Sequence, residues 1–113
     1  PNRSAMIIYT SGTTGKPKGV VSSHLTIESQ ILSMIGPWGW SSKDHILHVL
    51  PLHHLHGVIN VLNCSLWAGA TCEMFPKFES HAVWNRFMRP KPDTLNLFMA
   101  VPTIYAKLIE DYE

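Results

Sequence analysis

The chain has 113 residues, 45% hydrophobic and 15% charged, with nine basic and eight acidic side chains and a formal charge of +1. That is enough for one modest domain with its own core and too apolar and evenly charged for a disordered chain. No basic stripe favours a nucleic-acid or membrane-surface partner, and the most apolar run, GVINVLNCSLWAGA, is too short and too polar to span a bilayer. Cys64 and Cys72 are the only cysteines, which reads as reduced, buried thiols rather than a disulfide framework. The chain opens on Pro1 with informative pattern almost at once, so it is expected to be an internal piece of something longer, in which any leader would not be visible.

AMIIYT is rich in β-branched and aromatic residues and predicts a strand ending at Thr10. A glycine-bearing loop follows, then GVVSS as a short returning strand. Thr26 is expected to cap a helix whose Ile27, Ile31, Met34 and Ile35 share one face, stopped by Gly36 and Pro37. From there the chain alternates. HILHVL predicts a strand, LHGVINVLNCSLWA a helix ending at Gly69, and ATCEMF a strand closed by Pro76. Ser80 is expected to cap a helix through HAVWNRFMR, TLNLFMA predicts a strand, and Pro102 opens a last helix with Ile104, Leu108 and Ile109 on one side. Three rounds of alternation predict an α/β fold with a mainly parallel sheet and flanking helices. The first loop precedes that alternation and is expected to belong to a separate ribbon. Trp38, Trp40, Trp67 and Trp84 read as packing residues, as do Met74, Met88 and Met99. Glu110, Asp111 and Glu113 read as a solvated helix end.

The loop itself, within YTSGTTGKPKG, concentrates hydroxyls, glycine and positive charge. A polyphosphate needs donors that approach closely from several directions. Gly12, Gly15 and Gly19 supply backbone freedom, Thr10, Ser11, Thr13 and Thr14 supply hydroxyls, and Lys16 and Lys18 supply charge around the stiffening Pro17. A polar surface loop explains a lone Gly-Lys pair equally well, but the density of donors here favours phosphate. A Walker-type loop requires G-x-x-x-x-G-K-[ST]; GTTGKP has two residues between its glycines, and Pro17 stands where the magnesium-binding hydroxyl should be.

PLHHLHG places His53, His54 and His56 within four positions. A zinc site would need further ligands, and no CxxC or HExxH accompanies them. Hydrogen-bonded core histidines at a strand-to-helix turn are the simpler alternative, and no metal site is expected. Val101 to Thr103 read as a Pro-initiated helix start with no chemistry assigned.

YTSGTTGKPKGV resembles the phosphate-loop signature of the adenylate-forming superfamily of acyl-CoA synthetases, peptide-synthetase adenylation domains and luciferases. The similarity continues through PLHHLHG and VPTIY and covers essentially the whole chain. It implies a piece of the large N-terminal domain, with residues 1–113 a partial AMP-binding domain and the C-terminal domain absent. It further implies ATP with Mg2+, CoA as co-substrate, and thioester formation through an acyl-adenylate. By motif position, Thr10, Ser11, Gly12, Thr13, Thr14, Gly15, Lys16, Pro17 and Lys18 would hold the β- and γ-phosphates. His54 would stand beside the reacting carboxylate as the catalytic position, and His56, Gly57 and Asn60 would line the acyl pocket with it. An imidazole and an amide there suit a small dicarboxylic acid, malonate or methylmalonate, better than a fatty chain. The resemblance is nearest to the family's malonate-activating members, which implies a mitochondrial setting. Another short- or medium-chain acyl-CoA synthetase and a non-catalytic nucleotide-binding remnant are the alternatives. The family's magnesium-associated glutamate, ribose-holding aspartate, hinge, C-terminal lysine and the arginine expected to pair malonate's distal carboxylate do not occur in these residues, so the segment alone is expected to be inactive.

Overall fold

The computed structural model describes residues 1–112. Two sheets form. The first is an antiparallel hairpin of β1 (Ser4–Thr10) and β2 (Lys18–Ser23), with Thr10 opposite Lys18 at the base of the loop. This is the separate ribbon expected ahead of the alternation. The second is a parallel sheet of β3 (His45–His48), β4 (Thr71–Met74) and β5 (Leu97–Phe98) in the order β4-β3-β5.

Helices cover both faces of the parallel sheet, which is why β3 is buried at successive residues, Ile46, Leu47 and His48, rather than at alternate ones. Ile46 packs with α1 (His24–Ile35) and the helix that follows β3, burying Ile31, Met34, Ile59, Val61 and Cys64. Leu47 and Val49 point the other way, against Val83 of α3 (Ser80–Phe87) and Leu108 of α4 (Pro102–Glu110). Ile46 and Leu47 are fully buried, each contributing roughly 1.5–3 kcal/mol of hydrophobic stabilisation.

The segment after β3 is one continuous helical stretch of two geometries. A π-helix spans His56–Asn63 and runs directly into α2, Cys64–Ala68, which ends at left-handed Gly69. The Asn63 side-chain amide donates to the Val58 carbonyl at 2.8 Å, a bond of the same five-residue span as the widened backbone ladder.

Several local expectations are corrected. Helix α1 begins at His24, and its cap is Ser23, whose Oγ accepts the Thr26 N–H at 3.1 Å. Thr26 lies inside the first turn because β2 passes into α1 without a loop. At α3 the cap position is Glu79, with no side-chain cap, and the buried Ser80 hydroxyl instead donates to Asp111. Asp111 is therefore half-buried and held to α3, not solvated; Glu113 lies outside the described residues. Ile109 is 64% exposed and Met88 77% exposed. Ile109 sits five residues from Ile104, well off the stripe that Ile104 and Leu108 share at a spacing of four. Met88 is the residue that ends α3, and the helical face no longer constrains it. Met74, Trp38 and Trp67 are also exposed, whereas Trp40 is buried and Trp84 donates its indole N–H to the Leu108 carbonyl at 2.9 Å.

At the amino-terminal end of the sheet, buried Arg86 donates through Nε to both Glu73 carboxylate oxygens at 2.9 and 2.8 Å. His45 Nε2 lies 3.2 Å from the same carboxylate. This network ties α3 to β3 and β4, leaving the opposite end of the strands to carry the candidate site.

Candidate nucleotide and acyl site

The loop between β1 and β2 covers Ser11–Pro17. Gly12 and Gly15 both take the left-handed conformation, φ 61° and 82°. At Gly12 a side chain is doubly excluded: a Cβ there would lie 2.5 Å from the Lys16 carbonyl oxygen, so the loop folds back on itself only because this residue is glycine. The result is a tight crossing that leaves Thr10, Ser11, Thr13, Thr14, Lys16, Pro17 and Lys18 exposed. Thr10 and Lys18 face each other across the hairpin, bringing a hydroxyl and an ammonium to the same edge. The loop holds no carboxylate. Its chemistry fits phosphate oxygens, and a magnesium ion arriving with a polyphosphate would find only hydroxyl and carbonyl oxygens here.

The second feature is a cleft of about 830 Å³ at the carboxyl ends of β3, β4 and β5. Val49–His54 follow β3, Pro76, Lys77 and Phe78 follow β4, and Val101, Thr103 and Ile104 follow β5. This is where open parallel sheets bind ligands, because the loops there diverge from the strand ends. His53 and His54 are exposed and stack with ring centroids 4.2 Å apart.

His54 thus lines the cleft, whereas His56, Gly57 and Asn60 lie beyond it, on the π-helix. Gly57 is buried, and the space its missing side chain leaves is filled by the protein itself: a Cβ would lie 2.1 Å from the Pro51 carbonyl oxygen. The close approach at Gly57 is therefore made by the histidine turn, not left open for a ligand. His56 and Asn60 are half-buried and bonded to each other, Asn60 Nδ2 to His56 Nδ1 at 3.1 Å. Among the described residues no three His, Cys, Asp or Glu side chains converge to hold a metal.

Sequence reasoning gave no site role to four further residues. Thr103 and Val101 enter the cleft wall because only three residues separate the end of β5 from Pro102, which starts α4. Gln30 donates to Asn60 Oδ1 at 3.2 Å. Its signal was present: it is a polar residue three positions from Ile27 and four before Met34, on the apolar stripe of α1. His48, the last residue of β3, is fully buried. Its Nδ1 accepts the Leu50 N–H at 3.2 Å, and its Nε2 has no well-formed partner. Burial is the largest cause holding its pKa below the usual 6.5; the nearby Gly57 main chain pulls the other way, and charge on His56 adds to the depression. Both cysteines are free thiols, and burial pushes each pKa up, partly offset at Cys72 by the Ser65 hydroxyl. No described helix is long and apolar enough to cross a membrane.

A donor-rich hairpin loop and a cleft at the carboxyl ends of a parallel sheet define the class. The chain belongs to the AMP-binding enzyme family, whose model matches residues 1–113. It is 56% identical over 112 residues to the mitochondrial malonate–CoA ligase ACSF3 of Xenopus laevis, covering 99% of this chain and 19% of that protein. It is 46% identical over 116 residues to the malonate–CoA ligase of Arabidopsis thaliana, covering 96% and 19%. Among solved structures it superposes on ATP-bound MatB from Rhodopseudomonas palustris with a TM-score of 0.86 at 33% identity, covering 96% of this chain and 21% of that one. MenE, the o-succinylbenzoate CoA synthetase of Bacillus subtilis, in complex with ATP and magnesium, gives 0.83 at 31% identity, covering 97% and 22%. The chain spans about a fifth of the length of these relatives.

Proposed function

We propose that the protein bearing this chain is an ATP-dependent malonate–CoA ligase of mitochondria, and that residues 1–113 supply its phosphate loop and one wall of its acyl site. The reading is carried by the 56% identity to a mitochondrial malonate–CoA ligase, in an alignment that spans both the loop and the histidine turn.

The chemistry proceeds in two balanced steps. A malonate carboxylate oxygen attacks the α-phosphorus of ATP, and the bond to the bridging oxygen breaks, releasing pyrophosphate and leaving a mixed anhydride with AMP. The thiol of CoA then attacks the acyl carbon, loses its proton and expels AMP, giving the thioester. A carboxylate is a poor electrophile because its carbon sits between oxygens sharing negative charge; adenylation turns one oxygen into part of a good leaving group. The protein's contribution is positioning and charge stabilisation. Thr10, Ser11, Thr13, Thr14, Lys16 and Lys18 bind the β- and γ-phosphates, with Gly12, Gly15 and Pro17 shaping the backbone around them. That contact favours charge accumulating on departing pyrophosphate and holds the triphosphate in line for attack. His54, in the cleft at the strand ends, stands beside the reacting carboxylate and excludes water. His56 and Asn60 supply polar groups for the second carboxylate. Magnesium accompanies ATP and neutralises phosphate charge when bound.

The test is acid-dependent ATP–pyrophosphate exchange by the full-length protein with malonate, methylmalonate, acetate and hexanoate. Malonate is expected to give the highest kcat/KM. A maximum with hexanoate would make the protein a different acyl-CoA synthetase. ATP binding without exchange for any acid would make it a non-catalytic relative.

A further inference from the structure

Three half-buried groups from two helices form a directional chain. Gln30 Nε2, on α1, donates to Asn60 Oδ1 at 3.2 Å, and Asn60 Nδ2 lies 3.1 Å from His56 Nδ1 on the same π-helix. An amide nitrogen only donates, so Nδ1 of His56 is the acceptor in that contact, and a neutral imidazole that accepts at one nitrogen carries its proton on the other. The amide of Asn60 has one oxygen and one nitrogen. Occupying the oxygen with a donor from Gln30 turns the nitrogen towards His56.

We infer that Gln30 is a positioning residue: through Asn60 it fixes His56 as the Nε2–H tautomer, so that the imidazole presents a hydrogen-bond donor to an anionic oxygen of the substrate. The inference rests on the proposed reading of His56 as a contact of the acid's second carboxylate. A donor there attracts a carboxylate, while the opposite tautomer would present a lone pair and repel it. The relay thus supplies a donor without requiring the imidazole to be charged. A substrate with only one carboxylate has no group for that donor, so the relay selects for the dicarboxylic acid rather than for acids in general.

The wild-type tautomer can be read directly, without any variant, from the 13Cδ2 and 15N shifts of histidine-labelled full-length protein, with His56 assigned by the signal lost in His56→Phe. The expected state is Nε2–H. Gln30→Glu reverses the relay: a carboxylate accepts from Asn60 Nδ2, Asn60 Oδ1 turns to His56, and Nδ1 must then carry the proton. The expected result is a protonated Nδ1, with KM for malonate raised about ten-fold or more and KM for ATP and turnover with acetate unchanged. An Nδ1–H tautomer in the wild type, or an unaltered tautomer in Gln30→Glu, would overturn the relay. A tautomer that reverses while KM for malonate stays fixed would leave the relay standing and overturn His56 as the contact of the second carboxylate.

Discussion

Replacing Gly57 by alanine isolates the packing that sets the histidine turn. The added methyl carbon would lie 2.1 Å from the Pro51 carbonyl oxygen, 2.9 Å from its carbon and 3.3 Å from Leu50 Cβ. The two nearest atoms are main chain, one end of the clash lying in a proline peptide and the other in the π-helix, so no rotamer change relieves it. The turn must move by about 1 Å to restore ordinary contact, and overpacking a buried site of this kind costs about 3 kcal/mol. Gly36→Ala is the matched control: that glycine has an ordinary φ of −66°, and nothing lies within 4 Å of its added Cβ. It should be neutral or stabilising by about 0.5 kcal/mol, through reduced freedom of the unfolded chain. Urea unfolding of the full-length protein, followed by tryptophan fluorescence, reads both variants. Because His53 and His54 lie on the displaced turn, Gly57→Ala should also slow pyrophosphate exchange more than ATP binding. A Gly57→Ala protein as stable as wild type, or equal losses in the two variants, would refute the packing argument.

Lys18→Ala removes the ammonium paired across the hairpin from Thr10 and should slow adenylate formation about 100-fold, as loss of one charge-stabilising donor does. Unchanged exchange rates would remove Lys18 from the phosphate site. The depressed pKa of buried His48 links stability to pH. The unfolded state takes up the proton first, so this contribution is present above pH 6.5 and is lost as pH falls from there through the folded value. His48→Asn, which retains an acceptor for the Leu50 N–H, should flatten that part of the stability curve; an unchanged slope between wild type and variant would contradict the assignment.

Much of the architecture was legible because HILHVL, ATCEMF and TLNLFMA are short, largely apolar segments alternating with helical periodicity, an order that a covered parallel sheet accommodates. The π-helix was not. His56–Asn63 has the same apolar spacing as an α-helix at this length, and the Asn63 side chain, which donates to the Val58 carbonyl five residues back, leaves no mark on that spacing. The Ser23 cap was missed because Ser23 and Thr26, three residues apart, both offer a hydroxyl for the role, and only the direct passage of β2 into α1 selects the first. At the site, the loop stood out because its donors are contiguous. Gln30 was marked only as a polar residue on the apolar stripe of α1; its partner Asn60 is thirty residues away, and that stripe does not name it. Gly57 shows the limit of reading a glycine from sequence: its place in the histidine turn was legible, but not what packs against it. The answer, Pro51, depends on how the turn closes.

A crystal structure of the full-length protein with ATP tests the central claim most directly. The β- and γ-phosphates should lie within hydrogen-bond distance of the hydroxyls and amides of Thr10–Gly15, with Lys18 against the same oxygens. A triphosphate bound elsewhere, with Ser11–Pro17 making no contact to it, would contradict the assignment of this loop and the function built on it.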